Sequence, residues 1–167
     1  MLKRKKNCDI AYIGNYVPRI CGIATFTSDL FTSVSKNFSG KSSGFVIALN
    51  DEGKSYNYPK EVIYSINQSS QKDYLEAANI INTSSAQVAC LQHEYGIFGG
   101  RDGVYILSLL SRLNIPLITT LHTVLQNPSP NQKQILNEIL QRSNKVVVMS
   151  KKSIDILRDV YNVQEYQ

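Results

Sequence analysis

Short apolar runs rich in β-forming residues recur along this chain, and segments with helical spacing lie between them. The runs read CDIAYIG, GFVIAL, EVIYSI, QVACLQ, IPLITTL and KVVVMS, and helices are predicted from Ile23, over Tyr74–Ile81, over Val104–Leu113, around Ile135–Leu140 and from Ser153 towards Tyr161. Strands that alternate with helices form βαβ units, which give a parallel sheet with helices on both faces. Because such crossovers are right-handed, the sequence predicts an α/β fold with a Rossmann-like, doubly wound and mainly parallel sheet. The more polar run EVIYSI is expected towards a sheet edge.

Length and composition are typical of one globular domain. The chain has 167 residues, of which 43% are hydrophobic and 19% charged, and no apolar run reaches the roughly 20 residues of a membrane span. Much of the net charge of +5 lies in residues 1–7, which we interpret as a flexible basic leader before a single domain over residues 8–167. The rest is nearly balanced, which disfavours a nucleic-acid partner and leaves weak peripheral contact with an anionic membrane open.

The cysteines do not indicate a cross-linked or metal-bound protein. Cys8, Cys21 and Cys90 are odd in number, far apart and without paired spacing. Neither histidine belongs to an HExxH motif or lies near a pair of cysteines, so we predict no metal and no bound cofactor. With no apolar signal segment after the leader, a cytoplasmic location is favoured.

Unusual residues concentrate in the segments that follow the predicted strands. These segments read NYVPRICG, HEYGIFGGRDG, HTVLQNPSP and SKKS, and they include both histidines of the chain. In an open parallel sheet, ligands bind in the crevice beyond the carboxyl ends of the strands. The sequence therefore predicts the functional site at this edge of the sheet.

The first of these loops ends at Gly22, just before the helix predicted from Ile23. Unpaired backbone N–H groups at a helix amino terminus attract phosphate, and a glycine lets a ligand approach the backbone closely. Gly22 and Ile23 are therefore candidate phosphate-binding residues, with Arg19 of the same loop as a further candidate. The alternative is that Gly22 only shapes a turn between strand and helix.

The histidine-containing loops suggest binding of hydroxyl groups. His93 and Glu94 could exchange hydrogen bonds with hydroxyls, and Gly99 and Gly100 could let a ligand lie against the backbone. His122, at a strand end beside the same crevice, can act as a donor or an acceptor near neutral pH. The alternatives are a mobile surface loop with a satisfied histidine, and a capping or packing role for His122.

Taken together, YVPRICGIATFTSDL, QHEYGIFGG, PLITTLHTVL and KVVVMSKKSIDIL resemble the amino-terminal domain of a retaining glycosyltransferase with the GT-B fold, of the glycosyl transferase group 1 family. The resemblance runs from Cys8 to near the carboxyl end, and the blocks keep the family's order and spacing. It implies transfer of a sugar from a nucleotide-sugar donor to an acceptor hydroxyl with retention, without a metal. It also implies catalysis in a cleft between two domains.

The resemblance assigns roles to the candidate residues. The Gly22–Ile23 loop would face the donor diphosphate, and His122 would be the catalytic residue beside the transferred sugar. The acceptor side would be lined by His93, Glu94, Tyr95, Gly99 and Gly100. Ser150, at the end of the last strand, would face the same cleft, as would Arg19.

The resemblance also implies a part that is not found in this sequence. The family's carboxy-terminal donor domain carries an Arg/Lys pair for the diphosphate and a Glu-rich motif, and this chain ends at YNVQEYQ, where the family crosses to that domain. We therefore expect one half of a GT-B fold, which folds alone but is inactive alone. The alternative, from another class, is a self-contained, non-catalytic nucleotide- or phosphate-binding α/β module.

Overall fold

A computed structural model describes residues 8–37 and 44–164. Its strands are β1 (Ile10–Gly14), β2 (Gly44–Asn50), β3 (Val62–Asn67), β4 (Val88–His93), β5 (Leu117–Leu121) and β6 (Lys145–Val148). Its α-helices are α1 (Gly22–Asn37), α2 (Gln71–Thr83), α3 (Ile106–Leu110), α4 (Pro130–Arg142) and α5 (Lys151–Tyr161), and 3₁₀ turns cover Tyr95–Ile97 and Arg101–Gly103. The predicted leader, residues 1–7, lies outside the described residues.

The strands form one sheet in the order β3-β2-β1-β4-β5-β6, and each neighbouring pair is parallel. This is the Rossmann strand order, so the predicted α/β class with a doubly wound parallel sheet is confirmed. From β1 the chain builds outward to β3 and then returns past β1 to form β4, which also pairs with β1. The winding direction therefore reverses between β1 and β4, which places a crevice at the carboxyl ends of these two strands.

Helices cover both faces of the sheet. On one face, Phe31 of α1 packs edge-on against Tyr12 of β1, with ring centroids 5.4 Å apart. On the other face, the remaining helices bury a larger core that includes Ala77, Leu109, Ile135 and Leu157. Strand β3 lies at one edge of the sheet, as its polar sequence predicts. No helix in residues 8–37 and 44–164 combines the length and hydrophobicity that crossing a bilayer requires.

The helix predicted over Val104–Leu113 is shorter than expected. The segment instead contains the 3₁₀ turn Arg101–Gly103 and the short helix α3, and helical backbone angles continue only to the flanking residues Val104, Tyr105 and Ser111. Asp102 (φ 55°) and Gly103 (φ 83°) adopt left-handed backbone angles, which turn the chain before α3 and are invisible to apolar periodicity. Burial falls on Ile106, Leu109 and Leu110, whereas Leu107 is half-buried.

Helix starts also differ from the apolar pattern by a few residues. α5 begins at Lys151 rather than at Ser153, because the Ser150 hydroxyl accepts a hydrogen bond from the Ser153 amide at 3.2 Å and so caps the helix. α1 begins at Gly22, one residue before the predicted start.

Candidate functional site

The predicted site loops follow β1, β4, β5 and β6, which are consecutive neighbours in the sheet. Since all of these strands are parallel, the loops emerge at the same edge, as the sequence analysis expects. Side-chain contacts join Phe26 in α1, Gln92 of β4 and His122, which follows β5. These residues form the crevice, a name that we use below for this group together with Gly14 and Gly22.

The amino terminus of α1 is open to solvent. Gly22 is exposed, and a Cβ placed on it would meet no atom within 4 Å. The amides of Gly22 and Ile23 have no hydrogen-bond partner among the described residues. The next amide, that of Ala24, donates to the Cys21 sulfur at 3.3 Å, and the Asn15 side-chain amide donates to the same sulfur at 3.3 Å. Two N–H groups therefore remain for an anion, and the positive end of a helix dipole lies behind them.

Arg19 is occupied by contacts within the protein. Its guanidinium forms an ion pair with Asp51 at 2.6 Å and donates to the Asn15 side-chain oxygen at 2.7 Å and to the Leu49 carbonyl at 3.2 Å. Only 12% of its side chain is exposed. In this structure Arg19 therefore ties the loop after β1 to the end of β2, and it does not face a phosphate site.

His122 lies beside the first turns of α1. Its ring packs edge-on against Phe26, with centroids 4.9 Å apart, and its Nε2 lies 3.0 Å from Oε1 of Gln92. Burial lowers the pKa of His122 below its ordinary value, and the nearby Glu94 carboxylate opposes this effect. His122 is therefore neutral at neutral pH, with a hydrogen-bonding edge at the crevice.

Gly14, the last residue of β1, lets Gln92 reach His122. A Cβ on Gly14 would lie 2.9 Å from the Cβ of Gln92 and 3.6 Å from the Thr27 hydroxyl of α1. We expect Gly14→Ala to destabilise the protein by about 1–3 kcal/mol through overpacking. Gly22→Ala, which meets open space, is the matched control and is expected to stay within about 0.5 kcal/mol of the wild type in urea denaturation. Equal stability of the two variants would contradict this account of Gly14.

His93 lies behind the crevice rather than in it. Its side chain is 1% exposed and packs against Tyr95 and Phe98, with ring centroids at 5.0 and 5.9 Å. Its Nδ1 is buried without a hydrogen-bond partner among the described residues. Burial lowers its pKa to about 4, and the neighbouring His122 acts in the same direction. In this structure the ring offers no surface to an acceptor, so the predicted acceptor contact would require movement of the loop.

Glu94 and Tyr95 are also engaged by the protein. One Glu94 carboxylate oxygen accepts from the Tyr95 amide at 2.9 Å, and the other accepts from the Thr123 hydroxyl. Tyr95 is buried, and burial raises its pKa. Glu94 is half-buried, and its hydrogen bond with Thr123 connects it to the loop after β5.

Gly99 and Gly100 are explained by the packing of the chain against itself. A Cβ on Gly99 would lie 1.6 Å from the Gln68 carbonyl oxygen, and Gly100 has a φ of 75° beside Tyr105. The Gly99 amide donates to the Tyr74 hydroxyl of α2 at 2.9 Å. Gly99 therefore lets the loop after β4 pack against the region that follows β3, and Gly100 lets the same loop turn beside Tyr105. The structure gives no support to the expectation that they seat a ligand.

The remaining candidate, Ser150, caps α5 through its hydroxyl and does not contact the crevice residues. Within the part of the chain that the structure describes, no three His, Cys, Asp or Glu side chains are grouped as metal ligands.

Sequence reasoning missed several residues that build the crevice: Gly14, Cys21, Phe26, Gln92 and Thr123. A usable signal existed for Gln92, because it is a polar residue inside an otherwise apolar, central strand and is fully buried. No comparable signal marks Cys21, whose sulfur caps α1 in place of the usual Ser, Thr, Asp or Asn.

Comparison with known proteins adds little to these observations. No protein-family model matches this chain, and no curated protein does. The crystal structure of Staphylococcus aureus homoserine dehydrogenase at pH 6.0 is similar to it with a TM-score of 0.43 and 11% identity over 86% of this chain and 33% of that one. A short chain dehydrogenase family protein from Francisella tularensis has a TM-score of 0.45 and 13% identity over 93% of this chain and 76% of that one. The chain thus spans a third of the homoserine dehydrogenase and three quarters of the short chain dehydrogenase family protein. Its fold follows from its own strand order.

The loop after β1 is not of the dinucleotide-binding type. The Rossmann fingerprint has the spacing G-x-G-x-x-G, whereas this loop reads GNYVPRICG and has glycine only at its two ends. The carboxylate that follows β2, Asp51, is paired with Arg19 and with the Tyr56 hydroxyl at 2.8 Å. In dinucleotide-binding domains a carboxylate in this region takes the ribose hydroxyl, and here it is already engaged.

Proposed function

We propose that this chain is the acceptor-side, amino-terminal half of a retaining GT-B glycosyltransferase, which transfers a sugar from a nucleotide-sugar donor to an acceptor hydroxyl. One observation carries the proposal. The α1 amides of Gly22 and Ile23 have no partner among the described residues, and the ring of His122 contacts the same helix at Phe26. A phosphate site and a hydrogen-bonding side chain thus share one crevice. The resemblance of the sequence blocks to that family adds to it.

The chemistry that the crevice supports is stabilisation of a leaving diphosphate. In the transfer, the bond between the anomeric carbon and the phosphate oxygen breaks and its electron pair stays on the leaving diphosphate. The acceptor oxygen bonds to the anomeric carbon, and the acceptor's hydroxyl proton passes to the leaving diphosphate. Negative charge develops on the phosphate oxygens, and helix amides that are fixed beforehand stabilise this charge without reorganising. His122, held against Phe26, would contact the sugar at the reaction centre.

The proposed function implies specific co-substrates, a second domain and a location. The co-substrates are a nucleotide sugar and a hydroxyl acceptor, with no metal, and a second domain would supply most nucleotide contacts. Cys8, Cys21 and Cys90 are free thiols, which agrees with the proposed cytoplasmic location. We also propose weak contact of the basic residues 1–7 with an anionic membrane surface.

Binding of a diphosphate to the α1 amides can be tested by introducing a negative charge at Gly22, where a side chain meets open space. Gly22→Glu places a carboxylate at the first turn of α1, where it competes for the amides and repels the ligand. We expect about a fivefold loss of affinity for uridine or guanosine diphosphate relative to Gly22→Gln, which corresponds to about 1 kcal/mol. Amide NMR titration measures this, because affinities of the order of millimolar are expected. Equal affinities in the two variants would place the diphosphate elsewhere.

The 167-residue chain by itself is expected to transfer no sugar. In a GT-B enzyme the donor is held in a cleft between two domains, and helix amides of one domain alone cannot hold and orient the donor for reaction. Product formation is measured by mass spectrometry after incubation with nucleotide sugars and small acceptor glycosides. Any turnover above the no-enzyme control would contradict this expectation and would require the chain to contain a complete active site.

A non-catalytic phosphate-binding module is the second candidate, and the free amides of Gly22 and Ile23 support it equally. The two candidates differ at His122. A glycosyltransferase half is expected to show NMR shifts at His122 when a nucleotide sugar replaces the nucleoside diphosphate, whereas a phosphate module is expected to show shifts only at the α1 amides.

A further inference from the structure

Gln92 is a fully buried amide side chain that touches His122 in the crevice, and both of its ends are engaged. It is 0% exposed, its nitrogen donates to the Cys90 sulfur at 3.4 Å, and its oxygen lies 3.0 Å from Nε2 of His122. Burial raises the pKa of the Cys90 thiol to about 11, so this thiol stays neutral. In this structure the carboxamide is placed with its nitrogen towards Cys90 and its oxygen towards His122, and burial restricts its rotation.

This orientation determines which nitrogen of His122 carries the proton. A carboxamide oxygen only accepts hydrogen bonds, so Nε2 of His122 must donate to it and must therefore be protonated. In the neutral ring, Nδ1 then has a lone pair. Nδ1 has no hydrogen-bond partner among the described residues, and it is not one of their buried unpaired atoms. It is therefore an acceptor that a ligand can reach.

We propose that Gln92 is a positioning residue, which holds His122 as the neutral Nε2–H tautomer and thereby presents Nδ1 as a hydrogen-bond acceptor for a ligand hydroxyl. This inference deepens the proposed function and depends on it for the identity of the ligand. It divides the crevice into two parts. The α1 amides at Gly22 and Ile23 are donors for phosphate, while His122 is an acceptor that suits a sugar hydroxyl and disfavours a phosphate oxygen.

The surroundings of Gln92 agree with this role. A Cβ on Gly14 would lie 2.9 Å from the Gln92 Cβ. Because Gly14 has no side chain, β1 leaves space for the Gln92 side chain. Phe26 packs edge-on against the His122 ring and limits its rotation. The charged group that faces His122 is Glu94, whose two oxygens are occupied by the Tyr95 amide and the Thr123 hydroxyl. Glu94 therefore influences the charge of the ring but does not set its tautomer.

The test is to measure the tautomer and the titration of His122 by ¹⁵N and ¹³C NMR in the wild type and two variants of similar shape. In the wild type we expect the Nε2–H form, with a protected Nε2 proton that shows a nuclear Overhauser contact to Gln92. Gln92→Met removes the acceptor and is expected to abolish the protected proton. Gln92→Glu keeps an acceptor and adds a charge, so it is expected to keep the proton and to raise the pKa of His122.

The outcomes separate positioning from mere packing. If Gln92 only fills space, Gln92→Met leaves the Nε2 proton and the titration of His122 unchanged, and the proposal is overturned. An Nδ1–H tautomer in the wild type would mean that the Gln92 amide is turned end for end, which also overturns it. Should Gln92→Met fail to fold, the wild-type tautomer and the Gln92→Glu titration still decide the question.

The ligand part is tested separately with uridine diphosphate and uridine diphosphate glucose, and with guanosine diphosphate and guanosine diphosphate mannose. We expect the sugar-bearing member of a pair to shift the Nδ1 resonance of His122, and the diphosphate alone to shift only the amides of Gly22 to Ala24. If the sugar does not shift Nδ1 although the amides respond, the acceptor role is wrong while phosphate binding stands. If no ligand shifts any crevice signal, the proposed function fails, and the tautomer result is unaffected.

Discussion

Gly99→Ala is expected to lower the free energy of unfolding by about 3 kcal/mol or more. The added Cβ would lie 1.6 Å from the Gln68 carbonyl oxygen and 2.6 Å from the Gln68 carbonyl carbon, and both are backbone atoms that no rotamer change can move away. The loop after β4 would have to separate from the region that follows β3. The hydrogen bond from the Gly99 amide to the Tyr74 hydroxyl would be lost with it.

Gly96→Ala is the matched control for this variant. Gly96 lies three residues earlier in the same loop, and a Cβ there meets no atom within 4 Å. We expect its stability in urea denaturation to stay within about 0.5 kcal/mol of the wild type. If Gly99→Ala proves as mild as Gly96→Ala, the loop does not pack against Gln68 in solution.

The buried ring of His93 is expected to make the chain less stable by about 3 kcal/mol at pH 4 than above pH 6.5. In the unfolded chain histidine has a pKa near 6.5, whereas burial lowers the pKa of His93 in the folded chain to about 4. Between these values the unfolded chain binds a proton that the folded chain does not. Stability from this residue is therefore complete above pH 6.5 and falls as the pH decreases towards 4.

His93→Phe separates this contribution from that of other groups. Phenylalanine does not titrate, and it removes the unpaired Nδ1 while keeping an aromatic ring between Tyr95 and Phe98. We expect the difference in unfolding free energy between pH 7 and pH 4, measured by urea denaturation, to be about 3 kcal/mol smaller than in the wild type. His122→Asn, at a half-buried position, is expected to change the difference less. The same pH dependence in His93→Phe and the wild type would show that His93 is hydrated in the folded chain.

The alternation of apolar runs with helical segments was sufficient to predict the strands of the sheet. Every predicted strand is present, and the more polar run, β3, lies at an edge. The segment after β4 was less predictable. Its left-handed residues Asp102 and Gly103 turn the chain by backbone geometry, and that geometry leaves no trace in the spacing of apolar side chains.

The position of the candidate loops was predictable, but their contacts were not. That loops after parallel strands meet at one edge follows from the fold class, and at that edge His122 packs against α1, the helix that begins at Gly22, while the binding roles of Gly22, Ile23 and His122 stay predictions. Arg19 looked available in the sequence, yet it is paired with Asp51, which is remote along the chain. Whether a polar side chain is free depends on its partners, and distant partners cannot be found from local pattern.

The two histidines show what the sequence alone leaves undecided. Each stands at the end of a strand, and by sequence alone either could face a ligand. Successive residues of a strand point to opposite faces, so Gln92 faces α1 and His122 while its neighbour His93 packs beneath the loop against Tyr95 and Phe98. The sequence by itself determined the parallel sheet and the edge at which the loops after β1, β4, β5 and β6 emerge, because periodicity and right-handed crossovers are local rules. Only the tertiary structure decided which histidine reaches that edge, because burial depends on how distant segments pack together.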